Sequence, residues 1–108
     1  MDPKLKKRLL KIDEQIEKLY LAEEKYLTLE AVKEHILAVK VSETDGPSEA
    51  AKKTIAMSRA DYKTFKESLA HAKAEFHRQE HKYELIIKAF DAAYLSLKIE
   101  VPAINRQQ

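Results

Sequence analysis

Apolar residues recur every three or four positions through the first forty residues, which is the spacing of one face of an α-helix. The series runs Leu5, Leu9, Ile12, Ile16, Leu19 and, after a slip, Ala22, Tyr26, Leu29, Val32, Ile36 and Val39. Asp2 is a suitable N-cap, and Pro3 suits the first helical position, where its missing N–H costs nothing. We therefore predict a first helix over residues 3–42.

A run of small and polar residues, which contains the single Gly of the chain, interrupts this pattern at residues 43–48. Gly46 allows a positive φ, and Pro47 cannot continue a helix, so the chain is expected to reverse there. Ser48 is the expected N-cap of the next helix.

The strongest pattern lies between Ile55 and Leu97, where steps of three and four alternate as in a coiled-coil seam. The large seam residues are Ile55, Tyr62, Phe65, Leu69, Phe76, Tyr83, Ile86, Phe90 and Leu97, and Ser58, Ala72, Gln79 and Ala93 complete the series. We predict a second helix over residues 49–100. Val101-Pro102 is expected to stop it and leave a loose tail over residues 101–108. Because Ser58 to Asp61 reads as a capping box, a separate short helix over residues 48–57 stays open.

Two long helices joined by a short turn pack antiparallel, so the sequence predicts an all-α helical hairpin of the coiled-coil type, with residues 1–108 as a single domain. Further apolar residues lie off the seam: Leu10, Leu21, Leu27, Leu37, Leu85, Ile87, Leu95 and Ile99. This second apolar face predicts self-association, most simply a dimer that forms a multi-helix bundle. The alternative is that the hairpin bends over its own tail.

Composition agrees with long helices, because 35% of residues are charged and there are only one Gly and three Pro. The chain has no Cys, which excludes disulfides and thiolate metal sites. The N-terminal segment has no apolar run of signal length, and no stretch is apolar enough to span a membrane. We expect a cytoplasmic protein of a bacterial or phage-infected cell, with no cofactor and no membrane partner.

Positive charge is concentrated in two places although the formal net charge is only +2. The first is the N-terminal basic cluster: Lys4, Lys6, Lys7, Arg8 and Lys11. The second is the basic stripe at one heptad position of the second helix: Lys52, Arg59, Lys66 and Lys73. Both are candidate nucleic-acid contacts, because neutralising phosphates drives such binding. The cluster is alternatively a solvated helix start. The stripe alternatively pairs with acids of the first helix, namely Glu23, Glu24, Glu30 and Glu34.

His77 to His81 spells H-x-x-E-H, a zinc-protease motif. Both histidines lie on the outward face of the predicted helix, and no third ligand is apparent. We therefore expect no enzyme and no metal site beyond adventitious binding by His77 and His81. Most aromatic residues belong to the seam, and Tyr20 and Tyr94 are the ones least committed to packing. They are candidates for stacking on bases.

The layout over roughly residues 20–100 resembles small helical proteins encoded beside bacteriophage recombination genes. The resemblance rests on the Gly turn, then S-E-A-A-K-K, S-R-A-D-Y and a long helix ending in Y-L-S-L-K-I-E. More loosely, the chain is similar to phage recombination-mediator proteins. That resemblance implies an oligomer that binds single-stranded DNA or a recombination protein. The alternative prediction is a protein-binding adaptor, chaperone or inhibitor that acts through its apolar helical faces.

Overall fold

The structure, a computed structural model, describes the backbone of residues 2–107 and the side chains of residues 2–97. Within these residues it contains three helices and no strand: α1 (Pro3–Ser42), α2 (Glu49–Ser58) and α3 (Ala60–Gln107). The predicted all-α hairpin is confirmed. Lys40 pairs with Asp61, whereas Tyr26, earlier in the chain, stacks on the later Phe76, so α1 and α3 run antiparallel. Assembly into a bundle stays a prediction.

The start of α1 is fixed by Asp2. Its Oδ1 accepts hydrogen bonds from the backbone N–H groups of Lys4 at 2.7 Å and Leu5 at 3.4 Å. These bonds satisfy two of the donors that every helix leaves unpaired at its N-terminus. At the other end, the Ser42 hydroxyl donates to the Val39 carbonyl at 2.7 Å. The helix therefore begins and ends with side-chain hydrogen bonds near the predicted boundaries.

The turn between α1 and α2 uses Gly46 for space, and its predicted positive φ is wrong. No Gly or other residue in the part of the chain that the structure describes has a positive φ. A Cβ at Gly46 would lie 3.1 Å from Cγ and 3.3 Å from the backbone N of Lys52. Ser48 is the N-cap of α2, since its hydroxyl accepts from the Ala51 N–H at 3.1 Å.

The continuous second helix over residues 49–100 is wrong, because the helical path breaks at Arg59. Arg59 has φ −67° and ψ 144°, an extended conformation. The Ser58 hydroxyl donates back to the Ile55 carbonyl at 2.7 Å, so Ser58 closes α2 and is not the cap of α3. The Asp61 carboxylate accepts from the Tyr62 N–H at 2.9 Å. The separate short helix that the sequence left open is the one observed.

This break moves the seam by one residue in α2. The predicted seam residue Ile55 is 44% exposed, whereas its neighbour Ala56 is completely buried. An extended residue between two helices rotates the first helix relative to the second. The heptad positions of α3 therefore cannot be extended into α2, where they predict the wrong side chain to be buried.

The predicted stop at Val101-Pro102 is also wrong, since α3 continues to Gln107. Pro102 removes one backbone donor from the helix, but no Gly follows that would favour a change of direction. The backbone of residues 101–107 is helical, and Gln108 lies outside the described residues.

Residues 21–76 form one of two compact units, and its core lies along the predicted seam. Tyr62, Leu69 and Ala72 are 4%, 6% and 4% exposed, and Phe65 and Phe76 are half-buried. The rings of Tyr26 and Phe76 stack with centroids 5.7 Å apart. Large aromatic and small alanine side chains thus pack together in this unit.

The other unit combines residues 1–20 with residues 77–108. The predicted seam residues Tyr83, Ile86, Phe90 and Leu97 are half-buried in it. Its most buried side chains are polar, because Gln15 is 5% and Gln79 is 8% exposed. Gln15 Nε2 donates to the Gln79 carbonyl at 3.0 Å and to Gln79 Oε1 at 2.8 Å. The side-chain amide of Gln15 therefore donates two hydrogen bonds to Gln79 inside the helix pair.

Candidate nucleic-acid interface

The N-terminal basic cluster occupies the first turns of α1. All five of its side chains, Lys4, Lys6, Lys7, Arg8 and Lys11, are exposed. Among residues 2–97 none of them forms an ion pair. The acids at the far end of α3 that could face this cluster are Asp91, which does not pair with it, and Glu100, whose side chain lies outside the described residues. The cluster therefore presents five positive charges to solvent, none of them in an ion pair with residues 2–97.

Part of this cluster borders grooves between α1 and α3. Arg8 and Lys11 line a groove of about 190 Å³ together with Leu85 and Ala89. Arg8 also lines a groove of about 270 Å³ with Lys4. The two grooves thus combine a cationic edge from α1 with mainly small and aliphatic side chains from α3.

The basic stripe is divided into a neutralised half and an unpaired half. Lys52 Nζ lies 3.4 Å from Glu49 Oε1, and Arg59 lies 3.5 Å from Glu43 and 3.2 Å from Asp61. Neither cation pairs with Glu23, Glu24, Glu30 or Glu34, the acids of α1 considered from the sequence. Lys52 and Arg59 are therefore weaker candidates for phosphate contacts.

Arg59 belongs to a charge network at the turn end of the hairpin. Lys40 Nζ lies 2.8 Å from Asp61 Oδ2 and 3.7 Å from Glu43 Oε2. The hydrogen bond from Lys40 lowers the pKa of Asp61, and the same bond raises the pKa of Lys40 above its usual value. This network surrounds the helix break with mutually compensating charges.

The other half of the stripe, Lys66 and Lys73, is exposed and forms no ion pair among residues 2–97. Both line a groove of α1 and α3 that also contains Lys33. Sequence analysis did not select Lys33. It pairs with Glu30, three residues earlier in α1, and only the packing of α1 on α3 brings it beside the stripe.

Two exposed tyrosines lie in the same compact unit as the N-terminal basic cluster. Tyr20 is 62% and Tyr94 is 44% exposed. The rings of Tyr94 and Phe90 are stacked with centroids 6.3 Å apart and an interplanar angle of 8°. Exposed aromatic side chains and cations are the two usual components of single-strand binding surfaces, and this unit contains both.

The H-x-x-E-H segment forms a local pair. His77 Nδ1 lies 2.9 Å from Glu80 Oε1, and both side chains are exposed. No group of three or more His, Cys, Asp or Glu residues suited to hold a metal occurs in the part of the chain whose side chains are described. The motif therefore gains no third ligand from the fold.

None of the helices is both long and apolar enough to cross a membrane, as far as the described residues show. No known protein family, curated protein or solved structure matches this chain.

Proposed function

We propose that this chain is a non-enzymatic, self-associating helical hairpin that binds single-stranded DNA in the cytoplasm of a bacterial or phage-infected cell. The observation that carries the proposal is the N-terminal basic cluster, whose five exposed cations have no ion-pair partner among residues 2–97. Contacts of cations with phosphates release condensed counterions, which supplies most of the affinity in such complexes. The resemblance to phage recombination accessory proteins agrees with this role.

A single strand is preferred over a duplex because of the tyrosines. Tyr20 and Tyr94 are accessible in the unit that carries the cluster. Unpaired bases can stack on aromatic rings, whereas the bases of a duplex are already stacked and enclosed. The helices also present no evident set of side chains that would recognise base edges, so we expect the affinity to depend little on the DNA sequence.

The binding should depend steeply on salt. With five phosphate contacts and about 0.7 counterions released per contact, affinity for labelled oligo-dT should fall about 100-fold between 50 and 200 mM salt. Fluorescence anisotropy at the two salt concentrations measures this slope. Absence of binding at 50 mM salt would contradict the proposal.

Self-association is supported by an exposed apolar stripe on α1. Leu21 is 64%, Val32 37% and Val39 37% exposed. Their spacings of 11 and 7 residues bring all three to nearly the same side of the helix. Apolar side chains that recur on the outer side of a helix can be buried against another helix. A second copy would complete the predicted bundle. A protein-binding adaptor, chaperone or inhibitor is the alternative function, in which a different protein covers the stripe.

Charges placed on this stripe should dissociate the oligomer. We expect the Leu21→Glu/Val32→Glu variant to sediment as a monomer at concentrations at which the unaltered protein is a dimer or larger, because burying two carboxylates is costly. Leu27→Glu is the matched control. Leu27 is one of the off-seam apolar residues named from the sequence and is also exposed (51%), but six residues of helix bring it about 120° around α1 from Leu21. A purely monomeric unaltered protein would favour the adaptor alternative.

A further inference from the structure

A groove between α1 and α3, within residues 21–76, gathers three lysines around one carboxylate. Its volume is about 290 Å³. The groove is lined by Tyr26, Glu30 and Lys33 of α1 and, among others, by Lys66, Ala70 and Lys73 of α3. The volume is near the lower end of the range for small-molecule sites, about 300–1,000 Å³, so the groove has room for one small ligand.

The groove has a surplus of positive charge. Lys33 Nζ lies 2.9 Å from Glu30 Oε1, and these two charges compensate each other. Lys66 and Lys73 remain without an ion pair among residues 2–97. The pKa of Glu30 is lowered, first by the hydrogen bond from Lys33 and further by the positive charges of Lys66 and Lys73. Glu30 therefore stays ionised and offsets only one of three ammonium groups.

The side chains around these charges leave space for an anion. Lys66 and Lys73 are seven residues apart on α3, or about 10 Å along the helix axis. Ala70 lies between them, and its methyl group fills little of the space. Tyr26 borders the groove while its ring stacks on Phe76. Its hydroxyl forms no hydrogen bond within the described residues, so it can donate to a ligand.

We infer that this groove binds one phosphate group, with room for at most one nucleotide of the ligand, and that Lys66, Lys73 and the Tyr26 hydroxyl are the donors. Ammonium groups and hydroxyls are usual partners of phosphate oxygens. Glu30 weakens ligand binding, because its carboxylate repels the anion and is already paired with Lys33. The phosphate belongs to a free ion, to a nucleotide or to a DNA strand. The site is separate from the N-terminal basic cluster and does not depend on it.

The test uses a protein in which that cluster has been weakened by Lys4→Gln, Lys7→Gln and Lys11→Gln, so that loss of the proposed DNA-binding surface does not affect the result. Amide NMR signals are followed during titration with inorganic phosphate, thymidine 5′-monophosphate and thymidine. Phosphate and the monophosphate should shift the signals of Lys66, Ala70 and Lys73, and thymidine should not. If the monophosphate binds more tightly than inorganic phosphate, the natural ligand is a nucleotide or a DNA strand. If the two affinities are equal, the natural ligand is the free phosphate ion.

Three variants in this background make the inference specific. Glu30→Gln should tighten phosphate binding about three- to tenfold, because it removes a nearby negative charge and releases Lys33. Lys73→Gln should weaken binding by a similar factor, and Tyr26→Phe should weaken it while preserving ring packing. Lys63→Gln, an exposed lysine of α3 outside the groove, is the control and should change nothing. Phosphate-induced shifts confined to other residues, or an unchanged affinity in Glu30→Gln, would overturn the inference.

Discussion

Replacing Lys4, Lys7 and Lys11 by glutamate should weaken binding to oligo-dT by about 100-fold or more at 50 mM salt. Three phosphate contacts are lost with their counterion release, and three repulsive charges replace them. The fold should remain intact, because the three side chains are exposed, and a carboxylate at position 4, in the first turn of α1, is favourable. Anisotropy titration of the variant measures the loss, and far-ultraviolet circular dichroism checks that the helices are retained.

A matched variant separates the cluster from overall charge. Lys25, Lys53 and Lys63 are exposed, lie outside the cluster and form no ion pair among residues 2–97. Changing these three to glutamate alters the net charge by the same amount, but we expect a less than tenfold loss of affinity, since only long-range, screened interactions change. Equal losses in the two variants would show that net charge, and no particular surface, governs binding.

Leu69→Ala should reduce the free energy of unfolding by about 2–4 kcal/mol. Leu69 is 6% exposed and lies in the core of residues 21–76 with Tyr62 and Ala72. Truncation removes buried methyl groups and leaves a cavity that two long helices cannot easily close. Stability differences of this size are a large fraction of the total for a small domain, about 5–15 kcal/mol. Urea unfolding followed by circular dichroism measures the change in midpoint.

Leu27→Ala is the control for this measurement. Leu27 is 51% exposed, and alanine has a higher helix propensity than leucine. We expect a change below about 0.5 kcal/mol, which is typical of surface substitutions. If Leu27→Ala reduced the free energy of unfolding as much as Leu69→Ala does, the cost of truncation would not depend on burial. That result would contradict the placement of Leu69 in the core.

The hairpin was predictable because its signals are local and repeated. Apolar spacing defined α1 and most of α3, and the Gly46 region defined the reversal. The prediction of a continuous second helix failed because the backbone conformation of one residue decides where the helix is interrupted. The extended conformation of Arg59 moves Ile55 out of the seam, and it is accompanied by ion pairs with Glu43 and Asp61 that a periodic pattern does not contain.

The candidate site was predictable only in part, for a related reason. Sequence shows where cations occur, but their availability depends on neighbours supplied by the fold. Lys52 and Arg59 have acidic partners near the turn, whereas Lys66 and Lys73 have none among residues 2–97. Lys33 joins the latter pair only because α1 and α3 pack with one particular alignment. A spacing rule within one helix cannot report that alignment.

The Gln15–Gln79 hydrogen bonds bear on how far the two long helices can slide along each other. Leucine, isoleucine and aromatic side chains can exchange contacts after a shift of one heptad at modest cost, so a purely apolar seam permits several axial registers. A shift of that size would separate the two buried amides and break their hydrogen bonds. Each buried polar group left without a hydrogen bond would reduce the stability of the helix pair by about 1–3 kcal/mol. The pair therefore selects one register for residues 1–20 against residues 77–97, the unit in which the N-terminal basic cluster lies.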